Sequence, residues 1–282
     1  MARKHTRMVI AYDFDGTLAP GNMQEYDFVP ALKMQPAEFW AEAQKVAQEQ
    51  QADAILAYMQ VMLKKATAAE IPVRKEGFLE FGAKIRFFPG VEDWFERMNE
   101  YARQKHVRLE HYIISSGLRE MVEGTRIAKH FTRIYASGFM YDHNGVANWP
   151  ALAVNYTTKT QYLFRINKGS LDVYDNTLIN KYVPDEARPV PFANMIFIGD
   201  GETDIPCMRL VKDHGGHSIA VYDPDNKQRN PTLKEKARQL IEDGRATLAT
   251  KADYRPDSPI DHAVRAMIDK VAANALIHDC AD

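Results

Sequence analysis

Three groups of polar residues, each placed directly after an apolar run, carry the side chains best suited to chemistry in this sequence. The first group is Asp13-Phe14-Asp15-Gly16-Thr17, the second is Ser115-Ser116-Gly117, and the third is Gly199-Asp200-Gly201-Glu202-Thr203-Asp204. Carboxylate oxygens are hard ligands of the kind that Mg²⁺ prefers. Hydroxyls and backbone N–H groups at the start of a helix bind phosphate oxygens. The combination predicts phosphate chemistry assisted by a divalent cation.

Taken singly, each group has a more ordinary interpretation. An Asp after a strand usually closes a turn through its side chain, and a Ser in that position usually caps a helix. However, four carboxylates and a hydroxyl follow three different strands, and open α/β sheets bind ligands at the carboxyl ends of their strands. We therefore favour one shared site, formed by Asp13, Asp15, Ser115, Asp200 and Asp204.

The apolar runs before these groups predict buried strands at Met8–Tyr12, His111–Ile114 and Asn194–Ile198, and Ser218–Tyr222 predicts a fourth. Strands that are apolar throughout belong to parallel sheets covered on both faces. Helices are predicted between them, over Val91–Lys105, from Gly117 to about His130, and over Thr158–Ile166, Pro231–Glu242 and Ile260–Leu276, the third of them capped by Thr157 or Thr158. The predicted fold class is α/β, with a doubly wound, mostly parallel sheet.

Two further segments depart from this alternation of strands and helices. Ile134–Tyr141 and Val146–Tyr156 predict a β-hairpin, because the Asn-Gly pair between them suits a tight turn. Residues 21–84 are rich in good helix formers, with apolar residues at three- and four-residue spacing. We predict that residues 21–84 are a helical insertion in a core formed by residues 1–20 and 85–282.

In its motifs the sequence resembles the haloacid dehalogenase superfamily and, within it, the phosphatases. Residues 13–18 fit the family's DxDGT pattern in full, residues 199–204 fit its GDGxxD pattern, and Ser115 follows its strand as the second motif. The resemblance extends over Met8–Thr17 and from about Phe88 to the C-terminus. DxDGT alone is moderately specific, but the two patterns in the right order after apolar strands are a strong signal.

The resemblance implies a role for each carboxylate. Asp13 would be the nucleophile that forms an aspartyl-phosphate, and Asp15 would be the general acid and base. Asp13 and Asp200, the backbone carbonyl of Asp15, and Asp204 acting through water would hold Mg²⁺. A divalent cation is required because the ester and the nucleophile are both anionic.

The resemblance also implies a set of substrate-binding groups. Ser115 would bind a phosphoryl oxygen, with Ser116 as the alternative hydroxyl and the backbone N–H of Ser116 or Gly117 assisting at the start of the following helix. Phe14 and Thr17, from the first motif, are assigned to the same set. The hydroxyl of Thr17 is also expected to fix the turn of that motif.

The family further requires a lysine that balances the charge of the phosphoryl group. Lys159 opens a predicted helix, whereas Lys168 lies just before Gly169. We favour Lys159, because a side chain at the start of a helix is better placed to reach a phosphate. Lys168 suits a solvated charge near a helix C-terminus.

Composition excludes several classes of protein. The chain has 282 residues, 45% of them hydrophobic and 26% charged, which is enough for a sizeable core. Its net charge of -2 gives no electrostatic reason to expect nucleic acid or an anionic membrane as a partner. Apolar runs are too short for an export signal or a membrane span. Cys207 and Cys280 form no zinc pattern and are predicted to be reduced thiols in a cytoplasmic protein.

These observations predict a magnesium-dependent phosphatase that acts on a small phosphorylated metabolite. In the family, a cap inserted at this position closes over the active site, which favours small substrates over folded proteins. A phosphomutase with the same nucleophile and a catalytically idle phosphate-binding module are the alternatives. A dehalogenase is disfavoured, because a halide leaving group does not need the proton that Asp15 supplies. The motifs identify neither the ester nor the oligomeric state.

Overall fold

The computed structural model describes residues 5–226 and 232–279, and a seven-stranded sheet lies at the centre of this part of the chain. Its strands are β1 Thr6–Tyr12, β2 Val107–Leu118, β3 Phe131–Tyr141, β4 Ala147–Leu152, β5 Met195–Gly199, β6 His217–Tyr222 and β7 Leu248–Lys251. Their order is β4-β3-β2-β1-β5-β6-β7, and every neighbouring pair is parallel except β3 with β4.

Helices cover both faces of the sheet, which confirms the predicted doubly wound α/β fold. They are α1 Phe28–Ala31, α2 Pro36–Gln50, α3 Ala54–Ala68, α4 Lys75–Ala83, α5 Val91–Gln104, α6 Arg119–Glu123, α7 Lys159–Lys168, α8 Thr177–Asn180, α9 Ile205–Asp213, α10 Leu233–Glu242 and α11 Pro259–Asp279. Short 3₁₀ turns lie at Met23–Glu25, Ala128–His130, Asp185–Ala187, Phe192–Asn194 and Glu202–Asp204. Helices α5 and α11 pack on one face of the sheet, and α7, α9 and α10 on the other.

The central strand β1 shows why the first apolar run is continuous. Met8, Ile10 and Tyr12 enter one hydrophobic cluster, and Val9 and Ala11 enter the cluster on the opposite face. None of the five is more than 1% exposed. Because helices cover both faces, every position of the strand must be apolar, and no alternation with polar residues appears.

Strand pairing brings the three polar motifs to the same edge of the sheet. β1 pairs with β2 on one side and with β5 on the other, and Tyr12 stands beside Ile113 and Ile198. The residues that follow these positions belong to the three motifs. Their convergence, which the sequence predicted, is a direct consequence of the parallel register.

Three predicted elements differ from the structure. β2 extends to Leu118, so that Ser115-Ser116-Gly117 lie within the strand, where a shift in its pairing with β3 marks an irregularity. The helix predicted to run to about His130 is only the five-residue α6. The predicted hairpin is present as β3 and β4, but β3 also pairs with β2, so the hairpin extends the main sheet.

The segment of residues 21–84 contains α1 to α4 and the Met23–Glu25 turn, and its only described β pairing is a single bridge. Helix α4 is fixed to the core by two glycines. A Cβ at Gly82 would lie 2.0 Å from the Met121 carbonyl oxygen, and one at Gly124 would lie 2.0 Å from the Leu79 carbonyl oxygen. The contact at Gly124 also explains why α6 is short, since α4 crosses where it ends.

Apolar side chains of this segment, such as Phe39 and Met59, belong to the same cluster as those of β1. The segment and the core therefore share one hydrophobic interior, and their division into two domains stays a prediction.

Within the described residues, no helix has the length and apolar character that crossing a bilayer requires. Cys207 is a buried thiol whose pKa is raised by burial and by Asp204, and Cys280 lies outside the described residues.

A chain of buried hydrogen bonds joins β1, β2 and α5. Trp94 Nε1 donates to the Tyr12 hydroxyl at 2.9 Å, this hydroxyl lies 3.0 Å from His111 Nδ1, and His111 Nε2 lies 3.2 Å from Asn99 Oδ1. Asn99 Oδ1 can only accept, so Nε2 carries the proton, and the Tyr12 hydroxyl donates to the unprotonated Nδ1. Burial, together with the charge of His130, lowers the pKa of His111 to about 3.

This network predicts that the protein becomes less stable as the pH falls. The pKa of His111 is about 3 when folded against an ordinary 6.5, so between these values the unfolded chain binds a proton that the folded protein excludes. The free energy of unfolding should therefore fall below pH 6.5, by about 1.4 kcal/mol per pH unit from this residue. His111→Asn keeps an acceptor for Tyr12 and does not titrate. Urea unfolding at pH 7 and pH 5 should show a shallower decline for the variant, and equal declines would contradict the assignment.

Candidate active site

The three motifs border one cavity of about 540 Å³ at the carboxyl edge of the sheet. Asp13 and Asp15 reach it from the end of β1, Ser115 from β2, and Asp200 from the end of β5. Trp40, Ile55 and Tyr58, from the predicted cap, line another part of the same cavity. The cavity therefore lies between the core and the inserted helices.

Three carboxylates are close enough to share one cation. Asp13, Asp200 and Asp204 each offer an oxygen, and these oxygens all lie within 4.8 Å of one another. Asp13 and Asp204 are buried, and Asp200 is partly exposed toward the cavity. Hard oxygen donors in this number suit Mg²⁺, which binds through few carboxylates and keeps several waters.

Lys159 balances part of this negative charge. Its Nζ lies 2.7 Å from Asp204 Oδ1, in hydrogen-bond geometry, and 3.1 Å from Asp13 Oδ1. The second contact is an ion pair without hydrogen-bond geometry, so Asp13 Oδ1 keeps no hydrogen-bond partner among the described residues. Burial disfavours the charge on Lys159, but the carboxylates of Asp13 and Asp204 outweigh burial and raise its pKa. The lysine therefore stays protonated.

Asp204 uses both of its oxygens inside the protein. Oδ1 accepts from Lys159, and Oδ2 accepts backbone N–H groups of Asp200 at 3.2 Å and Gly201 at 3.4 Å. Burial and the charge of Asp13 raise its pKa to about 6, while Lys159 acts in the opposite direction. An Asp held in this way is suited to reach a cation through water, and its part in a metal site stays a prediction.

Two glycines leave room for the carboxylates of the cluster. Gly16 has φ +73°, in the left-handed region, and a Cβ there would lie 2.1 Å from Asp200 Oδ2. A Cβ at Gly199 would lie 2.3 Å from Asp204 Oδ2. A side chain at either position would displace a carboxylate of the cluster.

The carboxylates of the cluster repel one another. Burial, followed by the charges of Asp204 and Asp13, raises the pKa of Asp200 well above its ordinary value, even though Lys159 opposes the shift. A cation between the carboxylates would remove this repulsion. The donor set and its excess negative charge therefore fit Mg²⁺.

Asp15 lies beside this cluster in a different environment. Its Oδ1 accepts the Met23 backbone N–H at 2.8 Å, and a Cβ at Gly117 would lie 3.1 Å from its Oδ2. Burial first, and the charge of Asp13 second, raise the pKa of Asp15 well above its usual range. A carboxyl group that holds its proton next to a carboxylate is suited to protonate a leaving group. Coordination by its backbone carbonyl stays a prediction.

The end of β2 supplies hydroxyls to the cavity. Ser115 Oγ accepts the Gly117 N–H at 3.1 Å, so its own proton is available for a phosphoryl oxygen. Ser116 lines the same cavity, and its carbonyl accepts the Tyr58 hydroxyl at 2.7 Å. Both serines border the site, and the choice between them stays open. The helix begins only at Arg119, so the backbone N–H groups of Ser116 and Gly117 lie in β2 instead of at a helix start, and their contact with phosphate stays a prediction.

Phe14 and Thr17 do not face the cavity with their side chains. Phe14 is fully buried and packs edge-on against Phe87, with 6.3 Å between ring centroids. Any contact of Phe14 with substrate therefore falls to its backbone. Thr17 is also buried, and its carbonyl accepts the Tyr254 hydroxyl at 2.8 Å. Its own hydroxyl, which we predicted to fix the turn, has no hydrogen-bond partner among the described residues.

The two candidate lysines lie at opposite ends of α7. Lys159 is the first residue of the helix and reaches the carboxylate cluster. Lys168 is the last, and its Nζ donates to the carbonyls of Ile179 at 2.7 Å and Lys181 at 3.0 Å. Lys168 therefore stabilises the following segment, and only Lys159 is close to Asp13.

The start of α7 is fixed by Asn155. Its Oδ1 accepts the Thr158 N–H at 3.1 Å, and its Nδ2 donates to Asp53 Oδ2 at 2.7 Å. Asp53 in turn caps α3 by accepting the Ile55 N–H at 2.8 Å. Thr158, one of the two predicted caps, stands at the N-cap position of α7, but its side chain makes no capping hydrogen bond.

Sequence analysis missed several residues that border the cavity. Trp40 and Tyr58 belong to the predicted helical insertion and are not among the predicted site residues, yet both line the site. Other lining residues outside the predicted motifs are Gly21, Asn22, Gln24, Ile55, Val221, Tyr222, Asp223 and Asn226. The polar stretch directly after Pro20 and Gly21 was a signal for part of this set, because residues that follow a catalytic turn stay close to it.

The family model for haloacid dehalogenase-like hydrolases matches residues 10–209, which is more than half of the 282 residues and includes all three motifs. The chain belongs to this family. The match confirms the resemblance found in the motifs, and it makes the protein a hydrolase of that family.

Individual proteins show similarity over most of the chain. A protein of Borreliella burgdorferi described as uncharacterized is 27% identical over 285 residues, covering 90% of this chain and 94% of its own. The family hydrolase t0658 from Salmonella enterica serovar Typhi superposes with a TM-score of 0.52 at 18% identity, covering 81% of this chain and 64% of that one. A phospho-aspartyl intermediate analogue of phosphoserine phosphatase gives a TM-score of 0.52 at 16% identity, covering 87% and 93%. At these identities the structural likeness shows the fold.

Asp200→Asn should have opposite effects on stability with and without Mg²⁺. Without metal, the variant should melt at a higher temperature, because an amide, unlike the carboxyl group of Asp200, neither buries a charge beside Asp204 and Asp13 nor has to take up a proton on folding. With Mg²⁺ at a hundred times its Kd, the wild type should gain about 2.7 kcal/mol, and the variant should gain little. Thermal unfolding in chelator and in Mg²⁺ measures both effects. The exposed Asp213→Asn serves as control, and an undiminished Mg²⁺ response in Asp200→Asn would contradict the site.

Proposed function

We propose that the protein is a Mg²⁺-dependent phosphatase that hydrolyses a small phosphate monoester through an aspartyl-phosphate on Asp13. One observation carries the proposal. The carboxylates of Asp13, Asp200 and Asp204 lie within 4.8 Å of one another, and Lys159 pairs with Asp13 at 3.1 Å, at the strand ends that border a cavity. Membership of the hydrolase family agrees with this chemistry.

In the first step, a carboxylate oxygen of Asp13 attacks phosphorus, and the bond from phosphorus to the leaving oxygen breaks. Asp15 gives its proton to that oxygen, so the leaving group departs as an alcohol. Lys159 and the hydroxyl of Ser115 hold phosphoryl oxygens in place. Mg²⁺, held by Asp13 and Asp200 and through water by Asp204, would offset the negative charges of ester and nucleophile.

In the second step, Asp15 takes a proton from a water molecule that attacks the aspartyl-phosphate. The bond from phosphorus to the Asp13 oxygen breaks, and inorganic phosphate leaves with Asp13 restored as a carboxylate. Asp15 then carries a proton again for the next ester. One residue serves in both directions because it gives a proton in the first step and regains one in the second.

The inserted helices favour a small substrate. Trp40, Ile55 and Tyr58 border the cavity opposite the catalytic edge, and about 540 Å³ is within the usual range for small-ligand sites. We therefore propose a small phosphorylated metabolite as partner. The cytoplasmic location and the absence of a nucleic-acid partner stay predictions from composition.

Asp13→Asn should abolish turnover of p-nitrophenyl phosphate in Mg²⁺, by roughly 10³-fold or more, because an amide cannot form the phosphoenzyme. Release of inorganic phosphate is the measurement, and it also separates a phosphatase from a phosphomutase. Asp185→Asn makes the same change at an exposed position and should match the wild type. Wild-type turnover in Asp13→Asn, or an inactive wild type across a panel of metabolites, would refute the proposal.

Asp15→Asn should slow phosphoenzyme formation more for some substrates than for others. An alkyl ester needs a proton on its leaving oxygen, whereas p-nitrophenolate is stable enough to leave without one. The loss in the single-turnover rate of phosphoenzyme formation should be at least about tenfold larger for isopropyl phosphate than for p-nitrophenyl phosphate. Equal losses for the two esters would show that Asp15 is not the acid.

A further inference from the structure

Gln24 is a buried amide that borders the catalytic cavity and has no role in the chemistry described above. Its side chain is about 1% exposed, and its Oε1 has no hydrogen-bond partner among the described residues. A buried amide oxygen without a partner costs free energy, and such groups in cavities are usually satisfied by a ligand or a water. The position of Gln24 therefore points to a group brought by the substrate.

The turn that carries Gln24 is fixed directly to the catalytic residues. The Met23 N–H donates to Asp15 Oδ1 at 2.8 Å, and Met23 Sδ accepts the Leu118 N–H at 3.1 Å. The general acid and the end of the serine-bearing strand are thus both joined to this turn. In the proposed mechanism Asp15 contacts the leaving oxygen. Gln24 follows Met23, which is bonded to Asp15, so Gln24 lies close to the rest of the leaving group.

The inserted helices offer apolar ring surface to the same cavity. The rings of Trp40 and Tyr58 lie 5.7 Å apart at 70°, and both line the site. Their polar atoms are engaged elsewhere, since Trp40 Nε1 donates to Glu25 at 2.8 Å and the Tyr58 hydroxyl donates to Ser116 at 2.7 Å. What the two residues present to a ligand is therefore carbon surface.

The chemistry of the amide restricts the leaving group. An amide side chain can both donate and accept hydrogen bonds. A hydroxyl can also do both and can therefore pair with either end of the amide, whereas an ammonium group only donates and a carboxylate only accepts. The charged side chains that line the cavity, among the described residues, are Asp13, Asp15, Asp200 and Asp223. None of these side chains offers a positive charge that could bind a second anionic group of the substrate.

We propose that the leaving group is a hydroxylated carbon skeleton, of the polyol or sugar type. A hydroxyl next to the ester hydrogen-bonds to the Gln24 amide, and the C–H face of the skeleton packs on Trp40 and Tyr58. Gln24 is then a specificity-determining residue. The inference rests on the proposed phosphatase function and names its substrate class.

Two esters test the inference directly. β-Glycerol phosphate and isopropyl phosphate share one branched three-carbon skeleton and differ by two hydroxyls. The wild type should have a kcat/KM at least about tenfold higher for β-glycerol phosphate. In Gln24→Met the ratio of the two kcat/KM values should fall several-fold, mainly through the KM of β-glycerol phosphate. Gln50→Met makes the same change at the exposed end of α2 and should keep the wild-type ratio.

The possible results separate the two proposals. A wild type that turns over p-nitrophenyl phosphate but does not prefer β-glycerol phosphate would overturn the inference and leave the phosphatase function standing. An unchanged ratio in folded Gln24→Met, or a stronger preference for phosphoserine or phosphocholine, would overturn it as well. If Gln24→Met does not fold, the same ratio of kcat/KM values measured for Gln24→Leu and for the wild type still tests the inference. A wild type inactive on every ester would refute both proposals.

Discussion

The site depends on the concentration of negative charge at one edge of a parallel sheet. Asp13, Asp200 and Asp204 are held within 4.8 Å because β1 and β5 are neighbours in register, because Gly16 has no side chain to separate the first motif from Asp200, and because Gly199 leaves room for Asp204. Such an arrangement is unfavourable by itself, since buried like charges repel each other in a medium of low dielectric constant. Lys159 supplies one compensating charge, and a divalent cation would supply the others. The covered sheet provides the rigid frame that keeps these groups from moving apart.

The inserted segment is joined to the core at each part of this site. Met23 donates to Asp15, Tyr58 donates to the end of β2, and Asp53 accepts from Asn155 at the start of the lysine-bearing helix. Farther from the site, α4 contacts α6 backbone to backbone. Asp15, the end of β2 and the start of α7 are therefore each hydrogen-bonded to the segment that covers them, so its position is coupled to the geometry of this edge of the sheet.

The elements that were predicted best from sequence are those that are buried so fully that only apolar residues fit. β1 is apolar at every position because helices cover both faces, and its motif follows at once. β7 was missed because it is four residues long and only Thr250 in it is buried. Helix α6 is short because a crossing helix meets Gly124, a tertiary contact that local pattern does not encode. Gln24 was missed for a similar reason, since a single polar residue in a turn becomes significant only when the fold buries it beside the site.

Asp13 and Asp15 show how one turn can give two carboxyl groups different roles. Asp13 lies within ion-pair distance of Lys159 and belongs to the cluster suited to a cation. Asp15 is two residues away, is bonded to the Met23 backbone N–H, and has its pKa raised by burial and by the charge of Asp13 itself. The charge on Asp13 thus favours the proton on Asp15. A general acid must hold its proton until the leaving group takes it, and the proximity of Asp13 contributes to that condition in the proposed mechanism.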